Sequence, residues 1–265
     1  MPLTEARPQT LLLMLFGDFV LDRDVRVFSG SVIDVCGRLG ISSHAARSTL
    51  TRMVSRDLLQ RQRAGRRMYF GLTERSTALL RDGRTRIWGG AVDEHWDGTW
   101  TLLSFSLPES WQRQRHDLRS QLAWSGFGPI QGGLWIAPGE VGVQQIVSDL
   151  GLEAHARVFH ARAGALTDIG AMVSDAYDLA ALAARYDDFL ARWDGPPPLS
   201  DPLAARLSLI AEWLHAIRRD PRLPVEHLPA DWPAARAQKV FRELETAYAE
   251  PARRIAEEVL EYLNP

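Results

Sequence analysis

Seven arginines fall between Ser43 and Arg67, at Arg47, Arg52, Arg56, Arg61, Arg63, Arg66 and Arg67, interleaved with His44, Ser48 and Thr51. A guanidinium presents a planar fork of donors that suits phosphate oxygens and the acceptor edge of guanine. A hydroxyl can reach phosphate or either kind of base edge. Side chains of these types could grip a polyanion, and duplex DNA in particular if one helix carries several of them on a single side.

The local pattern supplies such a helix. Ser42-Ser43 offers the side-chain oxygen that satisfies a free N–H at a helix start. Ala46, Leu50, Met53, Val54 and Leu58 then recur at helical spacing and form one stripe. His44, Ser48, Arg52 and Ser55 fall on the opposite side, Thr51 and Arg56 flank them, and Arg47 sits at the stripe's edge. Gln60–Arg63 and Arg67–Leu72 read as two strands joined through Ala64-Gly65, where Gly65 supplies a positive φ. Ala64 suits the tightest two-residue turns poorly, so the spacing predicts a slightly longer loop. A helix followed by a basic hairpin is the layout of a winged helix-turn-helix. In that layout Ser48, Thr51 and Arg52 face the groove, with Arg52 the reader of guanine and His44 on the same polar side. Ser43, Arg47, Arg56, Arg61, Arg63, Arg66 and Arg67 touch mostly phosphates.

Charge is distributed to match. The whole chain of 265 residues carries −2, but residues 1–87 hold 15 Arg against 8 Asp and Glu, a net of +7, and the remainder nets −9. A 46% apolar and 24% charged composition describes an ordinary folded chain. No run approaches a membrane span and the start lacks the pattern of a secretory signal, so no membrane partner is expected. Cys36 is the lone cysteine. No intrachain disulfide can form, a cytoplasmic location fits, and Cys36 reads as a small core residue.

In chain order, Thr10–Leu21 is a mostly apolar helix and Asp22–Gly30 a polar connection. Ser31–Gly40 is a helix ending in glycine, and Gly40-Ile41-Ser42 is the turn into the arginine-bearing helix. Thr73–Ile87 follows as a connector helix basic along one side, through Arg75, Arg81, Arg84 and Arg86. Asp93-Glu94 and Trp96-Asp97-Gly98 mark a boundary. Beyond it come a strand (Thr99–Pro108), a helix (Glu109–Gly126), a glycine-punctuated strand or hairpin (Phe127–Gly139), a helix (Glu140–Leu152) and a strand (Glu153–Ala161), together a small α+β unit of split βαβ type. A helix over Asp168–Trp193, a stiff proline linker, a helix over Ala204–Arg219 and a long last helix interrupted by Pro251 complete the chain. The expected class is α+β, with boundaries at 1–88, 89–165 and 166–265.

Three pairs of segments resemble the PaaX family of repressors, which control phenylacetic-acid degradation operons. They are LLLMLFGDFV with GISSHAARSTLTRMVSRDLLQRQRAGRRMYFGLTE, WDGTWTLLSFSLPE with LRSQLAWSGFGPIQGGLWIAP, and DLAALAARYDDFLARW with WLHAIRRDPRLPVEHLPADWP. The resemblance spans nearly the whole chain. It implies an N-terminal winged helix, a central ferredoxin-like domain similar to Cas2 nucleases, and an all-helical C-terminal domain serving dimerisation or an effector. It further implies a homodimer released from a double-stranded DNA operator by an aryl-acyl coenzyme A such as phenylacetyl-CoA. The Ser42-Ser43-His44 entry and the Ala64-Gly65 connection are more individual to this chain.

The same residues offer little to other chemistries. A Cas2-like nuclease needs a metal-holding carboxylate at the end of its first strand, whereas Asp97 precedes that strand and Glu109 follows it. The seven histidines (44, 95, 116, 155, 160, 215 and 227) show no HExxH spacing, and His155 and His160 fall on opposite faces of the predicted strand. No GxSxG or phosphate-binding loop occurs in strand–helix context, so no catalytic residue, metal or cofactor is expected. An effector with an aryl group and a coenzyme A tail would want aromatic walls and basic groups at the mouth. Trp100, Trp124, Phe127 and Trp135, with Arg115 and Arg119, cluster in sequence for that role. Tyr186, Trp193, Trp213 and His215 are equally admissible. A winged-helix regulator without any small-molecule effector is the remaining alternative.

Overall fold

The computed structural model describes residues 6–91 and 96–264; the expected boundary pair Asp93-Glu94 and His95 lie outside them. The chain forms two compact units. One comprises Met1–Gly89, Asp188–Arg218 and Arg236–Pro265, the other Gly90–Asp187 and Arg219–Ala235. This division differs from the consecutive stretches 1–88, 89–165 and 166–265 expected from the sequence.

The first unit explains the difference. Its elements are α1 (Pro8–Phe19), β1 (Arg26–Phe28), α2 (Ser29–Arg38), α3 (Ser43–Ser55), β2 (Leu59–Ala64), β3 (Arg67–Leu72) and α4 (Glu74–Trp88). To these the C-terminal part adds α9 (Pro202–Ile217), α10 (Ala234–Val259) and β8 (Tyr262–Leu263). Helix α9 opens on Asp201, whose carboxylate caps the Ala204 N–H at 2.9 Å, and on Pro202 at its first turn. It is apolar nearly all round, and 12 of its residues are buried. A helix of that kind must sit inside a core. It packs against α1, α2 and α4, so the helices of the N-terminal segment close around a rod supplied from the far end of the chain. Asp22–Gly30, expected as a plain connection, contains β1 and the start of α2. A three-residue strand is too short to show alternation, and its partners lie far away. Val27 pairs with Phe70 on one side and Tyr262 on the other, giving the sheet order β2-β3-β1-β8.

The second unit holds β4 (Thr99–Phe105), α5 (Gln112–Trp124), β5 (Gly128–Pro129), β6 (Leu134–Pro138), α6 (Gln144–Asp149), β7 (Ala156–Arg162) and α7 (Ile169–Ala176). It also takes the first part of α8 (Leu179–Trp193). Its sheet runs β5-β6-β4-β7 with every pairing antiparallel. This is the order of a ferredoxin-like βαββαβ unit, with α5 and α6 as the two crossovers. Leu103, Trp135 and Phe127 join Leu118 and Leu122 of α5 in the core on one face. Trp100 and Ile136 point to the other, where Val173 and Leu182 cover them. Two helical expectations are corrected. Residues 168–193 are not one helix but α7 and α8, broken where Tyr177 turns extended and Asp178 caps the Ala181 N–H at 2.9 Å. Helix α6 is only six residues, and residues 153–155 form a 3₁₀ turn ahead of β7. His155 therefore precedes the strand that carries His160.

Candidate nucleic-acid interface

The turn into α3 is specified by backbone chemistry. Gly40 adopts φ +74°, its N–H donates to Gly37 O at 3.0 Å, and the Ile41 N–H donates to Cys36 O at 2.9 Å. These paired bonds close α2 in a Schellman motif that a β-carbon would strain. Ser42 then accepts from the Ala45 N–H at 3.3 Å and caps α3, a contact of a type that contributes about 1 kcal/mol. Ala46, Thr49, Leu50 and Met53 are buried. Burying that stripe leaves the opposite side outward. Ser43, His44, Arg47, Thr51, Arg52 and Arg56 are exposed, and Ser48 is half-buried.

These side chains are not equally free. Arg52 donates to Ser48 Oγ at 2.6 Å and to Thr49 Oγ1 at 3.0 Å, which holds its guanidinium along the helix. Thr49 was not among the expected contacts. Its place three residues after Ala46 on the buried stripe, with a hydroxyl under Arg52, was the available signal. Thr51 Oγ1 donates to Arg47 O at 3.0 Å, and Arg56 donates to Gln9 Oε1 at 3.1 Å.

The hairpin is tighter than expected. Ala64 pairs with Arg67, so the loop is the two residues Gly65-Arg66, and Gly65 takes φ +61°. With Ala64 drawn into the strand, the glycine takes the first central position, as a type II′ turn requires. The register also sorts the arginines by face. Arg61 and Arg63 pair with Phe70 and Met68, on the side that carries the buried Leu59 and Val27. Arg67 lies with Tyr69 and Phe28 on the reverse side.

Exposed charge without a counter-ion separates α3 and the hairpin from most of the connector, where Arg75 is exposed and bonded to the Arg56 carbonyl but Arg81, Arg84 and Arg86 are paired. Arg81 and Arg84 of α4 both pair with Asp22, at 2.8 and 2.7 Å, and their hydrogen bonds hold its carboxyl below the usual carboxylate range. Arg86 pairs with Asp82 at 3.1 Å. Arg47, Arg61 and Arg66, by contrast, form no ion pair among the described residues. Unpaired positive charge is therefore present along α3 and at the hairpin, as a polyanion would require.

The residues expected around an effector do not converge. Phe127 and Trp135 are in the core under α5 and α6, and Trp100 faces the opposite side of the sheet. Strand alternation forces that separation, because Trp100 and Leu103 are an odd number of positions apart. Trp124 is 50% exposed, with the Arg219 guanidinium 4.7 Å from its ring centre. Arg115 is bonded to Leu107 O at 2.9 Å, and Arg119 is exposed. Tyr186, Trp193 and Trp213 are fully enclosed core side chains, and His215 is exposed. Asp97 accepts from the Thr99 N–H and hydroxyl at 2.8 and 2.9 Å, which lowers its carboxyl from the ordinary range and commits it to a turn. His160 Nδ1 lies 3.2 Å from Thr101 Oγ1, and His155 packs edge-on to Trp111. Among the described residues no three His, Cys, Asp or Glu side chains gather as a metal site, and no helix is long and apolar enough to cross a membrane.

Comparison with known proteins matches three consecutive family descriptions. Residues 7–76 match "PaaX-like protein", 93–173 the "PaaX protein central Cas2-like domain", and 177–258 the "PaaX-like protein C-terminal domain". The chain is 27% identical over 247 residues to the transcriptional repressor PaaX of Escherichia coli K12, covering 87% of this chain and 77% of that protein. An uncharacterised protein of Mycobacterium tuberculosis has the same fold, with a TM-score of 0.66 at 24% identity over 95% of this chain and 98% of the other.

Proposed function

The chain belongs to the PaaX family, and on that premise we propose that it is a sequence-specific, DNA-binding transcriptional repressor. Its partner is a double-stranded operator. One observation carries this reading: a capped helix holds Ser48, Thr51 and Arg52 outward next to a hairpin whose Arg61 and Arg66 have no acidic partner among the described residues. On a duplex, α3 enters the major groove, Arg52 leaves Ser48 for a guanine edge, and Ser43, His44, Arg47, Arg56, Arg61, Arg63 and Arg66 contact the backbone or flank the groove. A two-fold operator then calls for a homodimer, with half-sites about 34 Å apart or a multiple of that. A cytoplasmic location accords with this role.

Release from DNA requires a ligand that binds the DNA-incompetent state better than the competent one. The family resemblance supports an acyl-CoA or aromatic acid, phenylacetyl-CoA first, and regulation of an aromatic-acid catabolic operon. The separation of Trp100, Trp124, Phe127 and Trp135 favours a second reading, in which the chain binds DNA without a small-molecule effector. A thermal-shift screen of acyl-CoAs and aromatic acids, paired with gel shifts, decides between them.

The test of DNA recognition is a footprint on the DNA upstream of the chain's own gene, repeated with Arg52→Ala. Loss of a bidentate contact should cost about 1–3 kcal/mol and relax preference at one base pair. Unchanged affinity for the operator and all its single-base variants would remove α3 from the interface.

A further inference from the structure

The last described residues end in the sheet that bears the hairpin. Strand β8 pairs antiparallel with β1, Arg26 opposite Leu263 and Val27 opposite Tyr262, and the Phe28 N–H donates to Glu261 O at 2.9 Å. The Glu261 N–H donates in turn to Ser31 Oγ at 3.1 Å, and the Arg23 guanidinium lies 4.6 Å from the Tyr262 ring centre. Glu261 thus stands beside Phe28, on the reverse face of the hairpin. There its carboxylate accepts from the Arg67 guanidinium, and from Tyr69 Oη at 2.9 Å. Arg67 also lies over the Phe28 ring, 4.9 Å from its centre, and Phe28 packs against Tyr69 with ring centres 5.7 Å apart.

Arg67 is the first residue after the Gly65-Arg66 turn, so whatever holds it holds the tip of the hairpin. Its side chain is tied on the face away from Arg61 and Arg63, by an acceptor on one side and an aromatic ring on the other. We propose that Glu261 is a positioning residue for DNA binding, which acts through Arg67 and Tyr69 to fix the angle of the hairpin and so present Arg61, Arg63 and Arg66 to the phosphates. On this view Arg67 is a brace rather than a phosphate contact, and the C-terminal strand is a working part of the DNA-binding module. The inference rests on the DNA-binding reading above.

Two substitutions separate this role from simple electrostatics, because both remove the same negative charge. Glu261→Gln keeps an oxygen that accepts from Arg67 and Tyr69, and Glu261→Ala does not. Removing a carboxylate near DNA raises affinity by general attraction, whereas losing the brace lowers it. With the full-length protein and a fixed operator duplex, the salt dependence of binding should become shallower for Glu261→Ala. The expected change is about one to three units of slope, near 0.9 for each of the three arginines released. Glu261→Gln should stay close to wild type. Hydroxyl-radical footprints of Glu261→Ala should lose protection where the hairpin touches the backbone and retain it in the major groove. Arg67→Ala should reproduce Glu261→Ala, and the double variant should lose no more than either. A Glu261→Ala slope that is unchanged or steeper, or an Ala variant indistinguishable from Gln, overturns the proposal. Wild-type protein that binds no operator duplex overturns the DNA-binding reading itself and this inference with it.

Discussion

Replacing Arg206 tests whether the N-terminal helices depend on the end of the chain. Its guanidinium lies inside the first unit, where Nε donates to Asp18 Oδ2 at 2.6 Å and Nη2 to Asp18 Oδ1 at 3.1 Å. Nη1 reaches Glu245 Oε1 at 2.7 Å and the Glu245 carbonyl at 3.2 Å. One side chain of α9 thereby joins α1 to α10. The side chains are 10%, 23% and 15% exposed for Arg206, Asp18 and Glu245, so water screens the group only in part. Arg206→Met keeps most of the stem's volume and leaves two carboxylates facing each other without a cation. Breaking a buried pair in this way costs about 3–5 kcal/mol, and the residual exposure of Asp18 argues for the lower end. For a unit of this size about 3 kcal/mol lowers Tm by roughly 6–12 °C. The assay is thermal unfolding followed by far-ultraviolet circular dichroism at neutral pH. A triple variant, Arg206→Met with Asp18→Asn and Glu245→Gln, should recover most of the loss, since no charge is then left unpaired. A drop in Tm below about 2 °C for the single variant, or a triple variant no better than the single one, would refute the reasoning.

Two further outcomes follow from buried titratable groups. Asp220 is partly buried, and loss of hydration raises its carboxyl above the ordinary 3.8, against the opposing hydrogen bonds from Tyr186 Oη and the Arg222 N–H. The folded state then holds this proton to higher pH than the unfolded chain, so the stability it contributes is complete below about pH 4 and is lost as pH rises through the folded value. Asp220→Asn should remove that component, and urea midpoints of wild type and variant should converge or cross as pH rises; parallel midpoints at every pH would refute the linkage. Cys36 is 0% exposed, and burial pushes its thiol up to about 11. Labelling by a thiol reagent at neutral pH should track global unfolding across a denaturant series, and labelling within seconds in native buffer would mean that α2 is not packed as described.

Much of the candidate interface was legible along the chain because its signals are local. The Ser42 cap, the Gly40 turn and the stripe through Ala46, Leu50 and Met53 each arise within a few residues, and helix geometry turns that stripe into an exposed face bearing Arg52. The arginine hairpin was equally plain, yet its loop was expected to be longer than the two residues observed, because Ala64 joins the strand. Cross-strand register, not turn preference taken singly, decides which residues occupy the loop. The aromatic cluster failed for a related reason: nearness in sequence says nothing about side when strands alternate, and Trp100 and Trp135 ended on opposite faces.

What the sequence by itself determined is the α+β class, the split βαβ order of the middle segment, and a basic helix–hairpin stretch. Hydrophobic period, caps, turn residues and charge act over short distances, and no tertiary partner is needed to read them. Only the tertiary structure decided that α9 is the core rod of the N-terminal helices, that β8 is the fourth strand of the hairpin's sheet, and that Arg67 is held by Glu261. Those pairings join residues far apart in the chain. Their energy comes from apolar surface and hydrogen-bonding groups that find partners only once the whole fold has closed, so nothing within a window of sequence marks them.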